Sequence, residues 1–367
     1  MEGKYFMENN STDVATLNQK YNGIDLIKFI MAIFIVMMHS NFMLDISYNI
    51  NYAFKWGITR IAVPFFFIAS GFLLYRKIDI CDIDLKKIKK YIKHICRLYI
   101  VWTIIYLPII VYDLLKSDKG ILSATLGFII NSVMAVSYLH LWFLQALIVS
   151  VLLVTLFLYL KFSVKKIFFI ALLLYCVGLL GQGYYWIFDY FFPEGSSIYN
   201  IFKMLEKIFV TPRNGFCFGF LFFFMGVYIS ASDKVVKQDK LIFYTAVSFI
   251  LFIMEVMLGS FYGFNKSSDV YIMLIPLACF VFLYSKNLRL KDSRKLIYLR
   301  KQSMYIYFIH PWFLFIVGGF FGCSKYSLIN LGHFVIFVIV LTLSILFSHI
   351  IIKLSQNGKY KYLKYLS

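Results

Sequence analysis

The chain has 367 residues, of which 61% are hydrophobic and only 15% charged, against about a quarter charged in an ordinary soluble domain. A net charge of +19 would point to nucleic acid in a soluble protein, but here the Lys and Arg residues cluster in alternate connections between apolar runs, which is a topology signal. The runs are about 20 residues long and lack the period-two alternation of a barrel, so a soluble globule and a membrane barrel are both excluded and the fold class is all-α, a polytopic membrane bundle.

Windows of membrane-crossing length place about ten helices, near residues 24–44, 56–76, 96–115, 140–160, 166–184, 214–232, 241–260, 269–286, 303–321 and 329–352. Residues 1–22 form a polar tail without the basic start, apolar centre and small-residue cleavage site of a signal peptide. Residues 354–367 form a basic tail. With the N-terminus inside, 27 of the 37 basic residues fall on the inner side and 8 on the outer, leaving Lys28 and Arg60 within spans. Both termini are therefore predicted cytoplasmic, in a multi-pass protein of the cytoplasmic membrane. Two outer connections are long. Residues 116–139 carry an apolar stretch suited to a re-entrant or interfacial position, and residues 185–213, rich in aromatics and prolines, suit a folded cap over an entrance. Six cysteines are scattered without ligand spacing, so neither a metal site nor a disulfide framework is expected.

Charge within hydrocarbon costs at least a few kcal/mol per group, so a site is the default explanation for Lys28 and Arg60. At 3.6 residues per turn, Asp25, Lys28 and His39 share one face of the first span, and the same stripe passes through Ala32 and Ile35. Depth follows from the rise per residue. His39, Arg60, Gln145 and Glu255 all lie about 6 to 8 Å below the outer ends of their spans. A base, a carboxylate and a cation in one layer are what general-base chemistry on a hydroxyl requires. Other readings stand beside this one. Asp25 and Lys28 could pair with each other near the inner surface while Lys28 snorkels, Gln145 could be interhelical glue, and Glu255 could be a paired rather than a reacting group. His310, before Pro311 at mid-span, could mark a helix kink or a site wall. His140, His333 and His349 sit near span ends or on apolar faces and are assigned no role.

Four segments resemble the bacterial integral-membrane acyltransferase family known as acyltransferase type 3: Gly23 to Lys28 with His39 after ten intervening residues, Arg60 to Phe67 running on to Phe72, His140 to Leu144, and Ser303 to Pro311. They stand in the family's order over nearly the whole chain, so residues 23–353 are read as that membrane domain. The resemblance implies transfer of an acyl group, often acetyl or succinyl, from cytoplasmic acyl-CoA to a hydroxyl of a cell-surface glycan or its lipid-linked precursor. It implies no permanently bound cofactor, no nucleic acid, and in some members a separate extracytoplasmic protein that completes the transfer. In the family a first-span basic residue and histidine are required, and they map to Lys28 and His39. Arginine is usual at the first position, and of the family's paired arginines in the first inner loop only Arg97 matches. The combined expectation is His39 as base, Arg60 as oxyanion or acceptor ligand and Glu255 as orienting carboxylate. Lys28 and Arg97 are expected as donor contacts, and Asp25, Gln145 and His310 at the substrate. A competing class is a transporter of serine or of a glycan precursor, because members fused to an amino-acid racemase have a similar membrane half.

Overall fold

A computed structural model describes residues 21–116, 121–134, 138, 140–209, 211, 213–232, 236–262, 269–321 and 331–366. Every regular element among them is helical. Helix α1 (Asn22–Ser40) leads through a short helix (Tyr48–Tyr52), a π turn (Ala53–Gly57) and a 3-10 turn (Ile58–Ile61) into α2 (Ala62–Tyr75). There follow α3 (Leu85–Leu115), α4 (Ile121–Met134), α5 (Trp142–Tyr159), α6 (Val164–Leu180), α7 (Tyr185–Phe191) and α8 (Ser197–Phe209). A second π turn (Gly215–Gly219) opens α9 (Phe220–Ser230), and α10 (Gln238–Phe261), α11 (Leu274–Asn287), α12 (Arg294–Phe321), α13 (His333–Gln356) and a 3-10 segment (Gly358–Leu366) complete the chain.

Several boundaries have local causes. The Asp84 carboxylate accepts from the backbone N–H groups of Lys86 and Lys87 at 3.0 and 3.2 Å, capping α3. Asn214 accepts from Phe216 and Cys217 and starts the turn into α9. Helix α1 stops at Ser40 because Asn41 is left-handed, with φ 51°, a conformation that asparagine tolerates better than most residues. The expected helix to residue 44 is thereby shortened, and His39 falls in the last turn.

The expected span over 56–76 falls within one membrane-length segment, Tyr48–Tyr75, but that segment is not a regular α-helix throughout. Continued as a regular α-helix upstream, the chain would drive the Pro64 ring against the carbonyl of Arg60 and leave that carbonyl without a donor. It adopts π and 3-10 turns instead, and Pro64 becomes the third residue of α2, where a missing N–H is harmless. Arg60 consequently sits in a tight turn at the head of α2.

Seven of the described helical segments are long and apolar enough to cross a membrane, and eight if the bent pair α6 and α7, at 81°, counts as one. The expected ten is thus somewhat high. The expected sixth and eighth spans are the shorter apolar helices Gly215–Ser230 and Leu274–Asn287, about 24 and 21 Å long against roughly 30 Å of hydrocarbon. The long outer connections contain α4, held to α3 by the Tyr99 hydroxyl donating to the Ser132 carbonyl at 2.6 Å, and α7 with α8, stacked through Phe188 and Phe202 at 4.1 Å.

Helices α2 and α9 pack backbone to backbone. A Cβ added at Gly71 would run into the Phe223 carbonyl, and one at Gly226 into the Ile68 carbonyl, so each helix presents a small residue to the other. Helix α12 lies against both α1 and α13, through Ala32, Val36, Ile306, Val317, Ile336 and Val340. Large apolar side chains on α10, including Phe243, Ile250 and Leu258, are exposed, as a lipid-facing surface requires. This packing brings the outer end of α1 beside the middle of α12 and the head of α2.

Candidate functional site

The polar groups gather in two places, separated along α1 by the distance from Lys28 to His39, about 16 Å at 1.5 Å per residue. At the inner end, the Asp25 carboxylate lies 3.8 Å from the Arg300 guanidinium and within electrostatic reach of Lys28. Asn22 donates to the Leu290 carbonyl at 3.1 Å and to Asp292 at 2.8 Å, fixing the start of α1 to the segment that precedes α12. Arg97 lies in another neighbourhood. Its guanidinium contacts His94 Nδ1 at 2.9 Å and lies over the Tyr365 ring at 5.2 Å, beside the C-terminal 3-10 segment, whose Leu366 carbonyl accepts from the Trp102 indole.

The outer cluster is richer. The rings of His39 and His310 are 5.3 Å apart, and His140 lies 5.6 Å beyond His310. His310 is completely buried, and its Nδ1 meets the Ile306 carbonyl at 3.0 Å. A carbonyl can only accept, so Nδ1 carries the proton and neutral His310 presents a lone pair at Nε2. Among the described residues that nitrogen has no hydrogen-bond partner, and neither ring nitrogen of His140 has one. In a buried site such orphans call for an explanation, and polar atoms awaiting a ligand are one. Aromatic rings wall the cluster. Tyr106 and Tyr307 stand edge-on to His140 at 5.1 and 5.3 Å, the Tyr307 hydroxyl donates to the His140 carbonyl, and the Tyr106 hydroxyl donates to the Phe308 carbonyl at 2.6 Å.

Arg60 is buried at 9% exposure and forms an ion pair with Asp269, which also receives Arg213 on the same oxygen at 3.4 Å. The Arg60 guanidinium lies 4.1 Å over the Trp56 ring and that of Arg213 5.0 Å over Trp142, geometry suited to cation–π attraction. Among the described residues the strongest electrostatic neighbours of His39 are His310, Arg60, Arg213 and Lys55.

One expected role is corrected. Glu255 does not orient His39. Its carboxylate accepts from the backbone N–H groups of Ile272 and Met273 at 2.7 and 2.8 Å and from the Tyr184 hydroxyl, so it anchors the entry to α11, where a negative charge suits a helix N-terminus. The carboxylate beside Arg60 is Asp269, the first residue of the expected eighth span. The structure brings His39, Arg60 and His310 together, places Gln145 in the first turn of α5 shortly after His140 and Trp142, and leaves Asp25, Lys28 and Arg97 away from that cluster. Asp269, Arg213 and Lys55 were missed, and His140 was given no role. A search for charged residues and histidines within a few positions of every outer span boundary would have found all four. Among the described residues no group of His, Cys, Asp and Glu has a metal-binding arrangement.

A family profile described as an acyltransferase domain matches residues 21–353. Among curated proteins, an amino-acid racemase of Enterococcus faecalis is 30% identical over 71% of this chain and 35% of its own length. A serine/alanine racemase of Enterococcus gallinarum is 27% identical over 89% of this chain and 45% of its own. A second amino-acid racemase of Enterococcus faecalis is 26% identical over 93% and 47%. The chain thus spans less than half the length of these relatives. No solved structure matches it.

Proposed function

The chain belongs to the acyltransferase domain family, and from that premise we propose that it is a membrane O-acyltransferase moving an acyl group, acetyl or succinyl, from cytoplasmic acyl-CoA to a hydroxyl of a cell-surface glycan or its lipid-linked precursor. The observation that carries this reading is the meeting of His39 with tautomer-fixed His310 beside an arginine whose charge is held by a carboxylate. His39 takes the proton from the acceptor hydroxyl as its oxygen attacks the thioester carbonyl. Arg60 faces the oxyanion that develops, in a setting poor in water where a fixed cation is worth most. The carbon–sulfur bond then breaks, the ester forms, and His39 returns the proton to the departing thiolate. His310, with its lone pair aimed into the cluster, holds the acceptor hydroxyl in place. Lys28 and Arg97 serve the donor side, where cations meet the phosphates of coenzyme A. Asp25 and Gln145 complete the path as polar lining.

The protein sits in the cytoplasmic membrane with both termini inside, so donor and acceptor enter from opposite faces. Transfer is either direct or completed by a separate extracytoplasmic protein. The test is acyl transfer by the purified chain, wild type against His39→Ala with the fold verified.

A second reading is favoured by the relatives, three of which carry the names of amino-acid racemases. On that reading the same polar stripe passes serine across the membrane and no acyl group is transferred. Uptake of labelled serine into vesicles, abolished by His39→Ala in the absence of any acyl transfer, would favour it.

A further inference from the structure

The outer cluster holds more positive charge than it uses. Arg60, Arg213 and Lys55 converge near His39, and among the described residues the carboxylate that joins the two arginines is Asp269. A guanidinium offers five N–H donors in a fixed fork. Here both arginines spend Nη1 on a single carboxylate oxygen, while Nε of each is buried and has no partner among the described residues. Lys55 turns to a neutral group, donating to the Asn41 side-chain oxygen at 2.7 Å. Glu255, the nearest carboxylate along α10, is committed to the entry of α11. All three cations also lie over indole faces, Lys55 and Arg60 over Trp56 and Arg213 over Trp142, which attract a cation without neutralising it. Arg60 is only 9% exposed, and gathering like charges in so enclosed a place is costly unless an anion completes the set.

We propose that this cluster is an anion subsite and that the acceptor is an anionic hydroxyl compound: its carboxylate or phosphate is held by Arg213 and Lys55 with the free edge of Arg60, which sets its hydroxyl at His39. The placement at His39 rests on the acyl-transfer reading, whereas the subsite itself does not. Planar forks that recognise oxyanions favour arginine over lysine. Arg213, 35% exposed against 9% for Arg60, is the member open to an arriving ligand.

Binding to the full chain in phosphatidylcholine nanodiscs tests the subsite, read by tryptophan emission, since Trp56 and Trp142 lie under the two arginines. The probes are glycerol 3-phosphate and glycerate, each carrying a hydroxyl and an oxyanion, with neutral glycerol as the control. The expected result is a saturable response to at least one anion and none to glycerol over the same range. Affinity should fall about tenfold or more in Arg213→Gln and in Lys55→Gln, as loss of a charge-assisted contact predicts, and should weaken with salt. The stronger of the two anions identifies phosphate or carboxylate as the group recognised. Lys55→Gln leaves the Asp269 pairs intact and serves if Arg213→Gln fails to fold. A response equal for glycerol and the anions, or affinity unchanged in both variants, overturns the proposal. Because no donor is present, this result bears on the subsite alone; in a parallel reaction supplied with acetyl-CoA, anion binding without transfer would overturn the acyl-transfer reading alone, and transfer without anion binding would overturn the subsite alone.

Discussion

Replacing Asp269 by asparagine removes the one carboxylate that Arg60 and Arg213 share while keeping its size. The two pairs differ in a way that sets their energies apart. Arg60 is 9% exposed and Asp269 12%, so their pair is buried, whereas Arg213 is 35% exposed and lies 3.4 Å from the same oxygen. Removing one partner of a buried pair strands the other charge and costs about 3 to 5 kcal/mol. A partly exposed pair is worth about 1 kcal/mol or less. Asp269→Asn should therefore destabilise the protein by about 3 kcal/mol or more. In a double-mutant cycle with Arg60→Gln, the double variant should be less destabilised than the sum of the singles by about 2 to 3 kcal/mol, since removing both charges leaves none stranded. The corresponding cycle with Arg213→Gln should give a coupling under about 1 kcal/mol. The assay is reversible unfolding in mixed micelles, followed by tryptophan emission. Equal couplings in the two cycles, or an Asp269→Asn protein as stable as wild type, would refute the assignment of Asp269 as the counter-charge that keeps Arg60 inside.

Gly226→Ala should destabilise the protein by about 1 to 3 kcal/mol, the cost of overpacking a tight contact, because the new methyl meets the Ile68 carbonyl; thermal unfolding in detergent checks this, and an unchanged midpoint contradicts it. Glu255→Gln should weaken the entry to α11 by about 1 to 3 kcal/mol through loss of charge-assisted acceptance from Ile272 and Met273, yet reduce turnover far less than His39→Ala does, since it does not touch the histidines. At the start of α3, the bonds from Lys87 and Lys86 hold the Asp84 carboxyl below its ordinary range. A depressed carboxyl stabilises above its unfolded pKa and loses that contribution as pH falls through its folded one. Amide exchange at Lys86 and Lys87 should therefore quicken, relative to neighbouring amides, only below the ordinary carboxylate range, and Asp84→Asn should abolish that dependence.

Much of this organisation was legible from residue spacing. The apolar runs revealed a helical membrane bundle because a spanning helix must satisfy its own backbone and be about 20 residues long. They overstated the number of full spans because window hydropathy reads apolar content, while turns decide helix length: Gly215–Ser230 and Leu274–Asn287 are apolar but short, and Val164–Leu180 bends into Tyr185–Phe191, limits that hydropathy does not register. Helical period alone places Lys28 and His39 on one face of α1, and the packing sets His39 against His310. Depth matching brought Arg60 and Glu255 to similar layers, but depth says nothing about the order of helices around a bundle. Glu255 consequently turned out to serve α11, while Asp269, at the very start of that region, reaches Arg60. His140 was assigned no role because a histidine at a span end looks like an interface residue until packing brings it within 5.6 Å of His310. Contacts among α1, α2, α5 and α12 are tertiary, and no single-segment pattern encodes them.

The account turns on His39 as the base in an acyl transfer. The most direct measurement is the appearance of labelled acyl ester on a hydroxyl acceptor, from labelled acetyl-CoA, by the purified protein in nanodiscs, comparing wild type with a His39→Ala variant of matched thermal stability. The account predicts turnover by the wild type and a loss of about a hundredfold or more in the variant, the range expected for removing a general base. Equal turnover by the two proteins would contradict it.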